Sequence, residues 1–222
     1  MSEKISHSQT ETRKRRSLKK VGAFVSLVAT LATPAVAQAR SESDAGKPSP
    51  KQPGIEHPLK APDIAKLISQ MEIKGDRNCK IETRTALKLL AHHTSYYFNR
   101  VIKYIEVIDC ESGGSGMYAY ENPPRFVVGD KQREAGIYWY TSVLVHDATH
   151  SMLYHQYLAR HPGVRVPDKA WIGRKAENIS NNAQAYVLQN IGAPEYYENY
   201  YLDYLNKIRS LPYWDVPVGE RP

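Results

Sequence analysis

Cysteine is scarce in this 222-residue chain: Cys79 and Cys110 are the only two, and no Cys-x-x-Cys pair exists. A thiolate zinc site of the finger type needs such close pairs, so that class is disfavoured. There is no Gly-rich phosphate loop and no aromatic-basic RNA motif, which leaves nothing to cradle a nucleotide or read a nucleic acid. No internal repeat is present. The apolar run at residues 21–32 is too short to span a bilayer, which needs about 20 residues.

That short run has a different meaning. It follows a basic stretch, Arg13-Lys14-Arg15-Arg16 and Lys19-Lys20, and precedes Ala35-Val36-Ala37-Gln38-Ala39. Basic, apolar, then small residues with A-x-A spacing is the order of a secretory signal, cut after Ala37 or Ala39. The competing reading is an uncut, membrane-anchoring N-terminus. Arg15-Arg16-Ser17-Leu18-Lys19-Lys20 partly resembles a twin-arginine signal, with Leu18 at the aromatic position, and the export route stays open.

Charge follows the same division. Residues 1–39 hold seven Lys/Arg and two acids, a net of +5, which leaves +2 of the chain's +7 for residues 40–222. The basic excess therefore belongs to targeting and is no nucleic-acid footprint. Export to an oxidising periplasm or medium makes a Cys79–Cys110 disulfide the expected fate of the two thiols. Closing a loop of about thirty residues contributes roughly 3–4 kcal/mol in the chain-entropy account.

Residues 40–61 are rich in Ser, Pro, Lys and Gly and read as a disordered linker. Beyond it, apolar spacing predicts a short helix from Pro62-Asp63 and a second over residues 82–99. Residues 101–108 and 126–128 have β character, with Gly113-Gly114-Ser115-Gly116 as a turn, predicting two or three strands in antiparallel hairpins. A long helix is expected over residues 134–157, broken by His161-Pro162-Gly163. Asp168 is then expected to cap a helix reaching residue 190. A last helix over residues 195–210 carries Tyr196, Tyr197, Tyr200, Tyr201 and Tyr204, best read as packing tyrosines with wet edges.

The chemistry concentrates in His146-Asp147-Ala148-Thr149-His150. Two imidazoles four apart on a helix lie on one face and can converge on one ion. Val143, Leu144, Val145 and Met152 flank them and would bury the surround. Other histidines fit less well. His92 and His93 are adjacent and point about 100° apart, His155 is off the ligand face, and His161 lies in a loop. The alternative for His146 and His150 is buried structural histidines without metal.

At these residues the chain resembles the zincin metallopeptidases, whose His-Glu-x-x-His helix holds zinc and supplies a general base. The metzincin extension fails, because Leu153 and Gln156 stand where Gly and His are wanted. The gluzincin-like extension, a Glu on a following helix, is met by Glu177. It lies 27 residues beyond His150 in a stripe with Ser180, Asn181 and Gln184, beside the apolar residues Ile172, Ala176, Ile179 and Ala183. The resemblance covers about residues 135–192. It implies Zn2+ held by His146, His150 and Glu177, with Asp147 as the base. Asp147 departs from the family's Glu by one methylene and reaches less far by about an ångström, so metal binding is better supported than turnover.

The expectation is a single α+β domain over residues 62–222, mostly helical, with zincin-like helices and a small antiparallel β hairpin region. Its function would be that of an exported zinc-dependent metallopeptidase, or a low-activity relative. The partner would be a peptide or protein substrate, the cell envelope being one source, with no nucleic acid and no transmembrane segment after cleavage. The alternative is a non-enzymatic envelope protein with structural histidines or a structural metal.

Overall fold

Proline, glycine and short polar caps set the element boundaries over residues 60–210, the span that the computed structural model describes. The expected signal segment, the linker as far as residue 59 and residues 211–222 lie outside the described residues. Helix α1 (Ala61–Gln70) takes Pro62 in its first turn, where a missing N–H breaks no bond, and buries Ile64 and Ile68 on one face. A short strand β1 (Glu72–Lys74) leads to Gly75, at φ 127°, and into α2 (Arg77–His93). The Asp76 carboxylate caps α2 by accepting from the Cys79 N–H at 2.7 Å.

The expected single helix over residues 82–99 is two. The chain turns at Thr94 (φ −143°) and continues as α3 (Ser95–Tyr104). Residues 101–104, expected as strand, belong to α3. Val101 is fully buried there beside Phe98, and packing overrides the β preference of a branched side chain.

Strands β2 (Val107–Glu111), β3 (Gly116–Tyr118) and β4 (Arg125–Gly129) complete a four-stranded sheet in the order β1-β2-β4-β3. The hairpin expectation holds only for β3 and β4, which are antiparallel; β1–β2 and β2–β4 are parallel. The reason is connectivity. Two helices separate β1 from β2, and so long a return brings the chain back in its original direction. In register, Ile73, Ile108, Phe126 and Met117 form one buried row across all four strands. Each such side chain stabilises by about 1.5–3 kcal/mol on leaving water. The Cys79–Cys110 disulfide forms as expected and ties α2 to β2.

The second half is helical: α4 (Asp130–Glu134), α5 (Ile137–Arg160), a 3₁₀ turn (Asp168–Ala170), α6 (Arg174–Asn190) and α7 (Glu195–Arg209). Gly136 (φ 101°) opens α5 and His161 closes it. Asp168 does not cap α6. Its carbonyl accepts from the N–H groups of Trp171 (3.1 Å) and Ile172 (2.9 Å), which closes the turn early, and Gly173 stands at the helix start. The tyrosines of α7 divide. Tyr196 and Tyr200 are exposed, whereas Tyr197 and Tyr201 both donate to the Ala135 carbonyl, at 2.5 and 3.0 Å, and Tyr201 stacks on Trp139. They dock α7 over the start of α5. The fold is α+β and mostly helical, and among the described residues no helix is long and apolar enough to cross a membrane.

Candidate metal centre

Helix α5 is the longest element and passes through the core, with Val143, Leu144, Val145 and Ala148 all buried. A turn apart on its face stand His146 and His150, their ring centroids 4.7 Å apart. From α6, Glu177 reaches them. His150 Nε2 lies 3.0 Å from His146 Nε2 and 3.4 Å from Glu177 Oε1, and His146 Nε2 lies 3.6 Å from Glu177 Oε2. The sequence expectation of these three residues as one group is met, and the group can hold a metal ion.

The spacing supports the fit. Donors on a tetrahedral zinc at about 2.0–2.1 Å lie roughly 3.3 Å from one another, and the observed separations run from 3.0 to 3.6 Å. Orientation supports it too. His150 Nδ1 lies 2.5 Å from the Trp171 main-chain oxygen. A carbonyl only accepts, so Nδ1 carries a hydrogen, and Nε2 is the nitrogen that faces the centre and would bind a metal once its own proton is lost.

Burial makes charge on the group costly. Glu177 is 1% exposed, and a buried carboxylate costs several kcal/mol unless a positive partner compensates it. A proton on His150 is one such partner. Burial opposes a charge on His150, but Glu177, Asp147 and the Trp171 carbonyl together raise its pKa to about 9. His146 goes the other way. Burial first, and then the neighbouring His150, lower it to about 4 against the pull of Glu177, Gln184 and Asn181.

Asp147 is half-buried, and burial pushes its carboxyl up to about 7, with His150 lowering and Glu177 raising it further. It therefore senses the same charges as the ligands, from the adjoining position on α5.

The polar stripe of α6 is buried, as its reading required: Glu177, Ser180, Asn181 and Gln184 all face inward. Gln184 Nε2 donates to Ser142 Oγ at 3.3 Å, which ties the stripe to α5. Ile179, expected with the apolar side, is 37% exposed. Two residues from Glu177 is 200° around the helix, so an inward Glu turns Ile179 outward.

His92 and His93 are exposed, and His155 and His161 stack on Tyr104 and Tyr157; none joins the centre. Two contributors have no signature in the motif. Arg100 donates to the buried Thr149 Oγ1 at 2.8 Å, bracing the segment between the ligands from α3. Trp171 acts through a main-chain atom, which side-chain patterns do not report. No protein-family model, no curated protein and no solved structure matches the chain.

Proposed function

We propose that the chain is a zinc-dependent metallopeptidase, exported to the periplasm or beyond the cell, that hydrolyses a peptide or protein substrate. The observation that carries this reading is a set of three donors, two imidazoles and a carboxylate, converging from α5 and α6 with tetrahedral spacing. Structural zinc sites close with four protein ligands, whereas catalytic sites use three and keep a position open. Among the described residues the group has three members. Its open side is at His146, which keeps 20% of its side chain exposed, against 4% for His150.

A zinc ion held there supplies Lewis acidity, acidifying a water molecule and polarising a carbonyl oxygen. The protein's own groups do the rest. The Trp171 carbonyl orients the His150 imidazole, and Glu177 supplies the negative charge that draws a cation inward. Asp147 receives a proton from the attacking water on its carboxylate and returns it to the leaving amine. The His-Asp-x-x-His spacing, the inward Glu177 and the disulfide support this reading together. The shorter reach of Asp147 favours a second one, a low-activity relative in which the ion staples α5 to α6.

The two are separated by peptide hydrolysis with zinc-loaded wild type and Asp147→Ala. Wild-type turnover that chelation abolishes, with Asp147→Ala retaining zinc but slowed about 100-fold or more, is the expected result. A zinc-loaded protein that is inert and only loses thermal stability on chelation is the staple. Loss of zinc in Asp147→Ala would remove the base assignment.

A further inference from the structure

We infer that the Trp171 indole is a positioning group for the metal centre: it anchors the carbonyl that orients His150. The inference rests on His150 being a ligand.

A carbonyl orients an imidazole only if it is itself held. Trp171 follows the 3₁₀ turn, and on the main-chain side its N–H and that of Ile172 both return to Asp168 O. Behind them Gly173 passes so close that a Cβ would lie 3.0 Å from Lys169 Cα, which keeps the turn tight. These contacts fix the shape of the turn but do not attach it to α5.

The attachment comes from the ring. The Trp171 side chain is buried and meets Tyr154 edge-to-face, with centroids 5.3 Å apart. Tyr154 is one helical turn beyond His150, so ring and carbonyl grip the same stretch of α5. Tyr120, 47% exposed and just beyond β3, also meets the indole edge-to-face, with centroids 6.4 Å apart. Trp171 is thus pinned between the metal-bearing helix and the sheet edge, and its carbonyl sits 2.5 Å from His150 Nδ1. A small side chain at 171 would leave the same carbonyl on a turn that has lost its aromatic contact with α5. His150 would then sample other orientations, although no ligand had been removed.

The test is zinc affinity by chelator competition, together with the visible spectrum of the Co(II)-loaded protein. The set comprises the wild type, Trp171→Ala, Trp171→Phe, Tyr120→Ala and, as a control for plain destabilisation, the core variant Phe98→Ala. Trp171→Ala should bind zinc about 10–100-fold more weakly, as loss of an outer orienting partner does, with an altered Co(II) spectrum. Trp171→Phe should recover most of the affinity. Tyr120→Ala, at a half-exposed site, should fold and show a smaller loss in the same direction. Phe98→Ala should lower the melting temperature and leave affinity and spectrum unchanged.

Wild-type affinity and spectrum in Trp171→Ala overturn the inference, as does an equal loss in Phe98→Ala. Should Trp171→Ala not fold, unchanged affinity in both Trp171→Phe and Tyr120→Ala overturns it. A wild type that takes up no zinc at all removes the metal-centre reading and this inference with it, whereas a metal-binding wild type with indifferent Trp171 variants removes this inference alone.

Discussion

Arg125 and Glu177 each sit at the centre of a charged cluster, and the two clusters are completed differently. On the outer side of the sheet, Arg125 makes a two-point contact with Glu121 at 2.8 and 3.0 Å. Its guanidinium lies 3.4 Å from Asp109 and 3.7 Å from Glu111, and it rests over the Tyr118 ring. This cluster is partly exposed and contains its own permanent cation. Between α5 and α6, Glu177 is nearly inaccessible, and its partners are two imidazoles that are neutral unless one holds a proton. The first cluster is finished by the chain itself. In the second, a proton on the imidazoles and a metal ion can compete for one place. That difference separates an ion-pair network from a binding centre, although both gather acidic and basic side chains.

The comparison is broken most severely by removing a ligand. His150→Ala or Glu177→Ala should weaken zinc binding by well over the roughly 10–100-fold cost of losing an outer partner, as measured by chelator competition. Arg125→Ala should leave that affinity unchanged.

Acidity sharpens the comparison next. In the metal-free protein His150 keeps its proton up to about pH 9, whereas His146, held near 4, has none to lose at neutral pH. Zinc must therefore displace about one proton from His150, and its affinity should fall about tenfold for each unit that pH drops between 8 and 6. Titration calorimetry in buffers of different ionisation enthalpy counts that proton. A pH-independent affinity would contradict the charge accounting.

The smallest effect belongs to the sheet. Arg125→Ala should lower unfolding free energy by on the order of 1 kcal/mol, because a partly exposed ion pair is screened by water. Denaturant titration measures this, and the loss should shrink at high salt.

The two clusters also differ in how visible they were beforehand. The four-residue spacing of His146 and His150 is a local helical fact that puts both on one face, whereas Glu177 as their partner is what the gluzincin-like resemblance implies. The Cys79–Cys110 bond follows from an even count of two thiols together with the expectation of export. What escaped notice is non-local. Three-residue β1 is too short to show a period. Its parallel pairing with β2 depends on a return through α2 and α3, and the break at Thr94 between those helices has no Pro or Gly to announce it. Residues 101–104 read as strand in the sequence because branched and aromatic side chains suit a strand and a buried helix face alike. Arg125 gathers carboxylates from two separate stretches, β2 and the segment between β3 and β4, and Trp171 acts through a carbonyl that every residue possesses.

The central claim is that the buried His146–His150–Glu177 group is a zinc site. Its most direct test is the zinc content of the purified chain after dialysis, measured beside Glu177→Gln, which keeps the shape and removes the charge. The account predicts close to one zinc per wild-type chain and a clear loss in Glu177→Gln. A wild type that neither retains zinc nor takes it up on titration would contradict it, leaving the two histidines and Glu177 as a buried structural cluster completed by a proton.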